Sequence, residues 1–236
     1  MFPSSSVCRS LLAATAAFVV AAEAPALLIP LTQARSIAAE GSIDGNPPSS
    51  NTSSAPGFGP FDDARQVSDS SFYSFMASLA EQHSSITFSE VLVEGRTEVG
   101  AYDISGTGEG SAGSSADSLF SLTFQLATAQ SWDFEVTLSH IAFGFVTGGT
   151  RVELSGGSTS VVLDTANGDT GIDTTLALAP AVYTLTVNSS LDASTLFGEA
   201  GDFVTVRFAE VPEPGTLVLL GAGIAGLLVA ARRRKA

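Results

Sequence analysis

Cysteine is almost missing from this chain: Cys8 is the only one among 236 residues. It precedes the first apolar run and would leave with a cleaved leader, so the remaining body would hold no disulfide. Histidine is nearly as scarce, with only His83 and His140, so no Cys/His metal cluster can be assembled. A Ser-His-Asp device could be drawn on paper, since serine is abundant, but no Gly-x-Ser-x-Gly elbow accompanies it. Positive charge is also short, ten Lys and Arg against 24 Asp and Glu. Between Arg35 and Glu210 there are five basic and 22 acidic residues, a net charge of −17. Such a balance argues against nucleic acid and anionic lipid as partners, and favours solubility or the acquisition of divalent cations.

Both ends read as targeting segments. Residues 1–34 resolve into a short positive region at Arg9, an uncharged run from Leu11 to Ala22, and small residues at Ala22, Ala24 and Ala34 that offer cleavage points. This is the make-up of a Sec-type signal peptide forming a helix, with the Sec translocon and signal peptidase as its partners. Pro25 disfavours a cut after Ala24, leaving Ala22 and Ala34 as the two choices. Residues 35–63 read as a linker, because Gly41 to Pro60 is dominated by Ser, Gly, Pro and Asn and offers little apolar surface to offset ordering its backbone.

The body is expected over 64–210. Its first part is ambiguous: Phe72, Phe75, Met76, Leu79 and Ala80 follow helical spacing, whereas Ile86, Phe88 and Val91 suit strands. The all-β surroundings favour a long edge strand over 70–82. From Thr97 onward the alternation is plain. Phe120, Leu122, Phe124 and Leu126 form one set, Phe134, Val136 and Leu138 a second, and Tyr183, Leu185 and Val187 a third; shorter strands fall at Val152, Val161 and Leu176. A last strand spans Phe203 to Phe208. Period-2 alternation with turn residues at intervals of about ten predicts an all-β fold, an antiparallel, jelly-roll-like β-sandwich.

The C-terminal stretch, 211–236, has three consecutive parts. Pro212-Glu213-Pro214 is a stiff strip through which no regular element can run. Thr216 to Ala231 carries no charge and, as a helix with its flanks, spans about 25–27 Å, a short transmembrane helix in the inner membrane. Arg232, Arg233, Arg234 and Lys235 stay on the cytoplasmic side and place the body outside. This order resembles the PEP-CTERM sorting signal of Gram-negative bacteria. The resemblance implies recognition by an exosortase, an integral-membrane cysteine protease-transpeptidase. It also implies a cut near Pro212-Glu213-Pro214, release of the body to the cell surface or extracellular matrix, and association with exopolysaccharide. The run Gly57-Phe58-Gly59-Pro60-Phe61 is similar to a strand lead-in of other PEP-CTERM bodies.

Candidates for chemistry in the body are few. Asp164, Asn167, Asp169 and Asp173 could supply calcium oxygens. Their spacing departs from a calcium loop, and a type I′ turn at Asn167-Gly168 surrounded by solvated acids explains them as well. Gly106 to Gly110 has the composition of a phosphate loop but lacks its third glycine at Ser111. Trp132, Tyr102, Tyr183 and Phe143 could line a sugar-stacking face of a carbohydrate-binding module; the competing reading is core and rim packing. The expectation is a non-catalytic exported protein without a cofactor.

Overall fold

A computed structural model describes residues 27–43, 46–71, 74–103 and 112–212. The expected signal helix and transmembrane helix, the glycine run 106–110, Glu213, Pro214 and the basic cluster 232–235 lie outside the described residues. The compact unit is 26–211. Its described residues form ten strands: β1 Leu28–Ile43, β2 Ser49–Ser54, β3 Phe61–Ser70, β4 Ser74–Ile86, β5 Glu90–Asp103, β6 Ala112–Leu126, β7 Gln130–Gly156, β8 Thr159–Asp164, β9 Gly171–Leu178 and β10 Val182–Glu210. Among the described residues the only helical element is a 3-10 turn at Thr165–Asn167.

The all-β, antiparallel expectation holds. The pairing, however, makes one continuous sheet rather than the two separately bonded sheets of a sandwich. The cause lies in β7 and β10, which run side by side over most of their length, with a register shift between Ala193 and Gly198. The first part of β10, up to Ser194, pairs with β6 and with the end of β7. Its second part, from Phe197, pairs with β5 and with the start of β7. Each of these two strands therefore bends over and belongs to two arms. One arm is ordered β2-β1-β6-β10-β7-β8, the other β3-β4-β5-β10-β7-β9. At the free edges Ser53 Oγ lies 2.5 Å from Asp63 Oδ2, which ties β2 to β3 and gives the sheet of this unit a barrel-like closure.

Sequence alternation placed four short strands where these two long ones run. Glycine explains the difference. Gly144 and Gly148 sit at the bend with φ of +76° and +112°, a region that side chains with a Cβ rarely enter. A Cβ on Gly144 would also collide with the Phe197 carbonyl, and one on Gly148 with that of Ser190. The chain thus turns a corner at a shift of register between Ala193 and Gly198, and the β7–β10 pairing resumes beyond it.

The segment 35–63, expected as a linker, is instead part of the sheet, and β1 begins inside the stretch 1–34 read as signal. β1 pairs with β6 from Leu28 to Ile43 and buries Leu28, Ile37, Ala39 and Ile43. A lack of large side chains does not prevent this, because backbone hydrogen bonds to β6 and close packing supply the order. A Cβ on Gly41 would strike the Met76 sulfur. Arg35, 2% exposed, fastens the rest: Nε donates to Gln33 Oε1 at 2.7 Å, Nη1 to Ser84 Oγ at 3.2 Å, and Nη2 to the carbonyls of Gly57 and of Gly59, the latter at 2.7 Å. Burial lowers its pKa from the usual arginine value. β3 then starts at Phe61, with Arg35 over the ring at 5.8 Å.

Over 74–86 the strand reading is right, but β4 lies between β3 and β5, so the edge position belongs to β3. The helical spacing arose from two faces overlaid: Met76 and Ala80 point into the core, Phe75 and Leu79 away from it.

Among the described residues the interior has two apolar clusters. The larger gathers Phe120, Leu122, Phe124, Trp132, Phe134, Tyr183, Val206 and Phe208 from both arms. The smaller gathers Ile37, Met76, Val99, Ala101, Leu191 and Ala200. Between them runs a buried polar belt, Thr97, Ser118, Thr150, Ser189 and Asp202.

Candidate functional site

Alternation assigns every second residue of β4, β5, β7 and β10 to the outer face of one arm. Register brings those residues into rows across the strands. Phe75, Tyr102 and Phe197 form the first row; Ala77, Gly100, Glu199 and Phe143 the second. Leu79, Glu98, Gly201 and Ile141 form the third; Glu81, Arg96, Phe203 and Ser139 the fourth. The small residues Ala77, Gly100 and Gly201 leave a trough of about 400 Å³, open to solvent, with aromatic rims at both ends. Tyr102 meets Phe197 edge to face at 5.1 Å and Phe75 at 6.1 Å. Phe143 is 59% exposed. The Tyr102 hydroxyl donates to Glu199 Oε2 at 2.8 Å, and this bond, with burial, raises its pKa above the usual phenol value. At the other rim Arg96 lies 5.3 Å over Phe203 and its Nε donates to Glu98 Oε1 at 2.8 Å.

Two of the four residues proposed for sugar stacking are thereby corrected. Trp132 and Tyr183 are core residues, 0% and 1% exposed, and their alternation with Asp133 and Thr184 turns them inward. Tyr102 and Phe143 do share the outer face. The residues that complete it, Phe75, Phe203, Glu98 and Glu199, were missed. Their signal was present as apolar side chains at positions alternating out of the core set.

The acidic loop is a structural turn. Asp164 Oδ1 accepts from Ala166 N–H, and Asp169 Oδ2 from Asp164 N–H, both at 2.8 Å. Gly168 closes the 3-10 turn with φ +83°, so the type I′ hairpin reading is corrected. Asp173 lies apart on β9, opposite Glu135. Among the described residues no group of three or more His, Cys, Asp or Glu is placed to hold a metal ion.

The histidines are held by carboxylates. His83 Nε2 meets Glu81 Oε1, and Nδ1 meets Asp62 Oδ1, both at 2.8 Å. His140 Nδ1 is bonded to Asp202 Oδ1, while Asp202 Oδ2 lies 2.8 Å from Thr150 Oγ1. Thr150 Oγ1 is 2.9 Å from Ser189 Oγ, which is 2.6 Å from Thr97 Oγ1. In a catalytic triad the imidazole stands between carboxylate and hydroxyl. Here the carboxylate stands between imidazole and hydroxyl, so His140 cannot draw a proton from Thr150.

The described body is thus an all-β domain with an exposed aromatic and carboxylate groove, and β10 ends at Glu210 immediately before the diproline strip. Residues 210–235 match the PEP-CTERM protein-sorting motif. That match identifies the C-terminal segment as the signal of an exosortase substrate, which implies export and sorting to the cell surface. No curated protein matches the chain.

Proposed function

We propose that this protein is a non-catalytic component of the cell surface or extracellular matrix, associated there with exopolysaccharide. In this reading residues 1–34 contain the signal that engages the Sec translocon and is removed by signal peptidase. Thr216 to Ala231 then holds the precursor in the inner membrane, with Arg232 to Lys235 in the cytoplasm and the body outside. Exosortase cuts near Pro212-Glu213-Pro214 and frees the body.

The observation that carries the proposal is the sorting motif at 210–235, which begins where the last strand ends. The folded unit thus finishes before the segment to be cut, and Pro212 is exposed. The absence of catalysis is supported by the wrong order of His140, Asp202 and Thr150 for a nucleophile and base. Neither a metal nor a cofactor enters the reading.

The test is the fate of a Pro212→Ala, Pro214→Ala double variant. It should stay at full length in the membrane fraction while the natural protein appears outside, shortened at its C-terminus. A shortened double variant outside the cell would overturn the sorting route. Natural surface protein whose mass includes residues 216–235 would do the same.

A further inference from the structure

We propose that the groove between the Phe75–Tyr102–Phe197 row and the Arg96–Phe203 row binds a neutral polysaccharide strand. This rests on the matrix-associated reading above and names the surface responsible.

Four observations select that occupant. The trough floor is made of small residues, and a Cβ on the buried Gly100 would meet nothing nearer than Tyr102 Cε2 at 3.7 Å. The space of about 400 Å³ falls among ligand-binding clefts, and it is open along one face, as a polymer segment requires. Its rims carry exposed aromatic rings, Phe75, Phe143, Phe197 and Phe203, which suit the apolar C–H faces of pyranose rings. Its polar groups are mainly acceptors. Tyr102 engages one oxygen of Glu199 and Arg96 one oxygen of Glu98, leaving the second oxygen of each carboxylate to accept from sugar hydroxyls. Three carboxylates, Glu81, Glu98 and Glu199, against one guanidinium, on a body of net charge −17, repel an anionic polymer.

The position of the groove fits its use. Leu28 N–H donates to Phe88 O, Glu210 N–H to Ser89 O, and Val211 N–H to Ser131 O, so the body's two chain ends leave from the turn between β4 and β5. Gly100 lies ten residues along β5 from Glu90, about 33 Å away at strand rise. The binding face therefore lies toward the other end of β5 from Val211, where this unit ends.

The experiment is affinity electrophoresis of the full chain in detergent through gels containing neutral polymers (cellulose derivatives, β-1,3-glucan, galactomannan, dextran) or alginate. At least one neutral polymer should retard the natural protein, and alginate should not. Phe143→Ala and Glu199→Gln should each weaken retardation about tenfold. Gly100→Val, which fills the trough with a residue suited to strands, should abolish it. Melting temperatures of all three should stay near that of the natural protein. Retardation of all three folded variants equal to that of the natural protein would overturn the groove while leaving polysaccharide association intact. Failure of every neutral polymer would overturn the groove, and would spare the sorting route. Loss of self-association in Gly100→Val, seen by sedimentation without any sugar effect, would make the groove a contact between copies and also overturn the proposal.

Discussion

Trp132 lies face to face on Phe208, with ring centroids 4.6 Å apart and planes 7° from parallel. Phe208 also touches Phe124 at 5.5 Å and Phe134 at 6.2 Å, and Phe124 stacks on Tyr183 at 5.8 Å. The five rings come from β6, β7 and both parts of β10, so they join the two arms. This is where a body without disulfides finds its cohesion.

Trp132→Ala should therefore destabilise the fold by about 3–5 kcal/mol. Polysaccharide retardation per folded molecule should not change, because Trp132 is remote from the groove rows. Its indole N–H is buried without a partner, so Trp132→Phe should cost far less than Trp132→Ala. Chemical denaturation of the three proteins checks both statements. A Trp132→Ala protein of full stability that no longer binds sugar would return Trp132 to the binding face.

Gly148→Ala tests the bend. The residue must keep φ near +112°, and the new methyl would meet the Ser190 carbonyl. A loss of more than about 1 kcal/mol is expected, whereas Gly57→Ala, open on all sides, should be close to neutral. Thermal melting separates the two. Equal effects would show that the corner does not depend on glycine.

Much of this architecture was legible and part of it was not, for one physical reason. Alternation reports which face a residue occupies, so the inward sets Phe120 to Leu126, Phe134 to Leu138 and Tyr183 to Val187 were correctly read. Alternation does not report where a strand ends. The alternating sets stop at Leu138 and start again at Val152, yet Gly144 and Gly148 only bend β7, and its pairing with β10 resumes past a register shift. Composition likewise misread 35–63, since Arg35 and the β6 ladder order a segment poor in large side chains. Half of the groove was visible in Tyr102 and Phe143. The other half depends on registers among four strands, which no single stretch of sequence contains.

His83 gives a pH signature. Its hydrogen bond to Glu81, then the charges of Asp62, Glu81 and Glu94, raise its pKa above the usual histidine value. A raised folded-state pKa means that its contribution to stability is full below the unfolded value of about 6.5 and is lost as pH rises through the higher folded value. The NMR titration midpoint of His83 should lie above about 6.5 and move down in Glu81→Gln. With the imidazole 45% exposed, the effect on melting temperature should be small and reduced further by salt. A midpoint at or below the ordinary value would contradict the pairing.

The start of the mature chain follows from β1. Ala22 and Ala34 are the two candidate cleavage points. A cut after Ala34 would remove Leu28, which is fully buried, and the residues of β1 that pair with Ser121 to Leu126. Stripping them would open the β6 edge and expose part of the larger core cluster. It would also put a new charged amino terminus on Arg35, whose guanidinium is enclosed among Gln33, Ser84, Gly57 and Gly59. A cut after Ala22 leaves every one of these contacts in place. Surface-released protein should therefore begin at Glu23, and its intact mass decides the matter. A mature protein that begins at Arg35 and melts at the same temperature as one carrying residues 23–34 would show that the first half of β1 is dispensable.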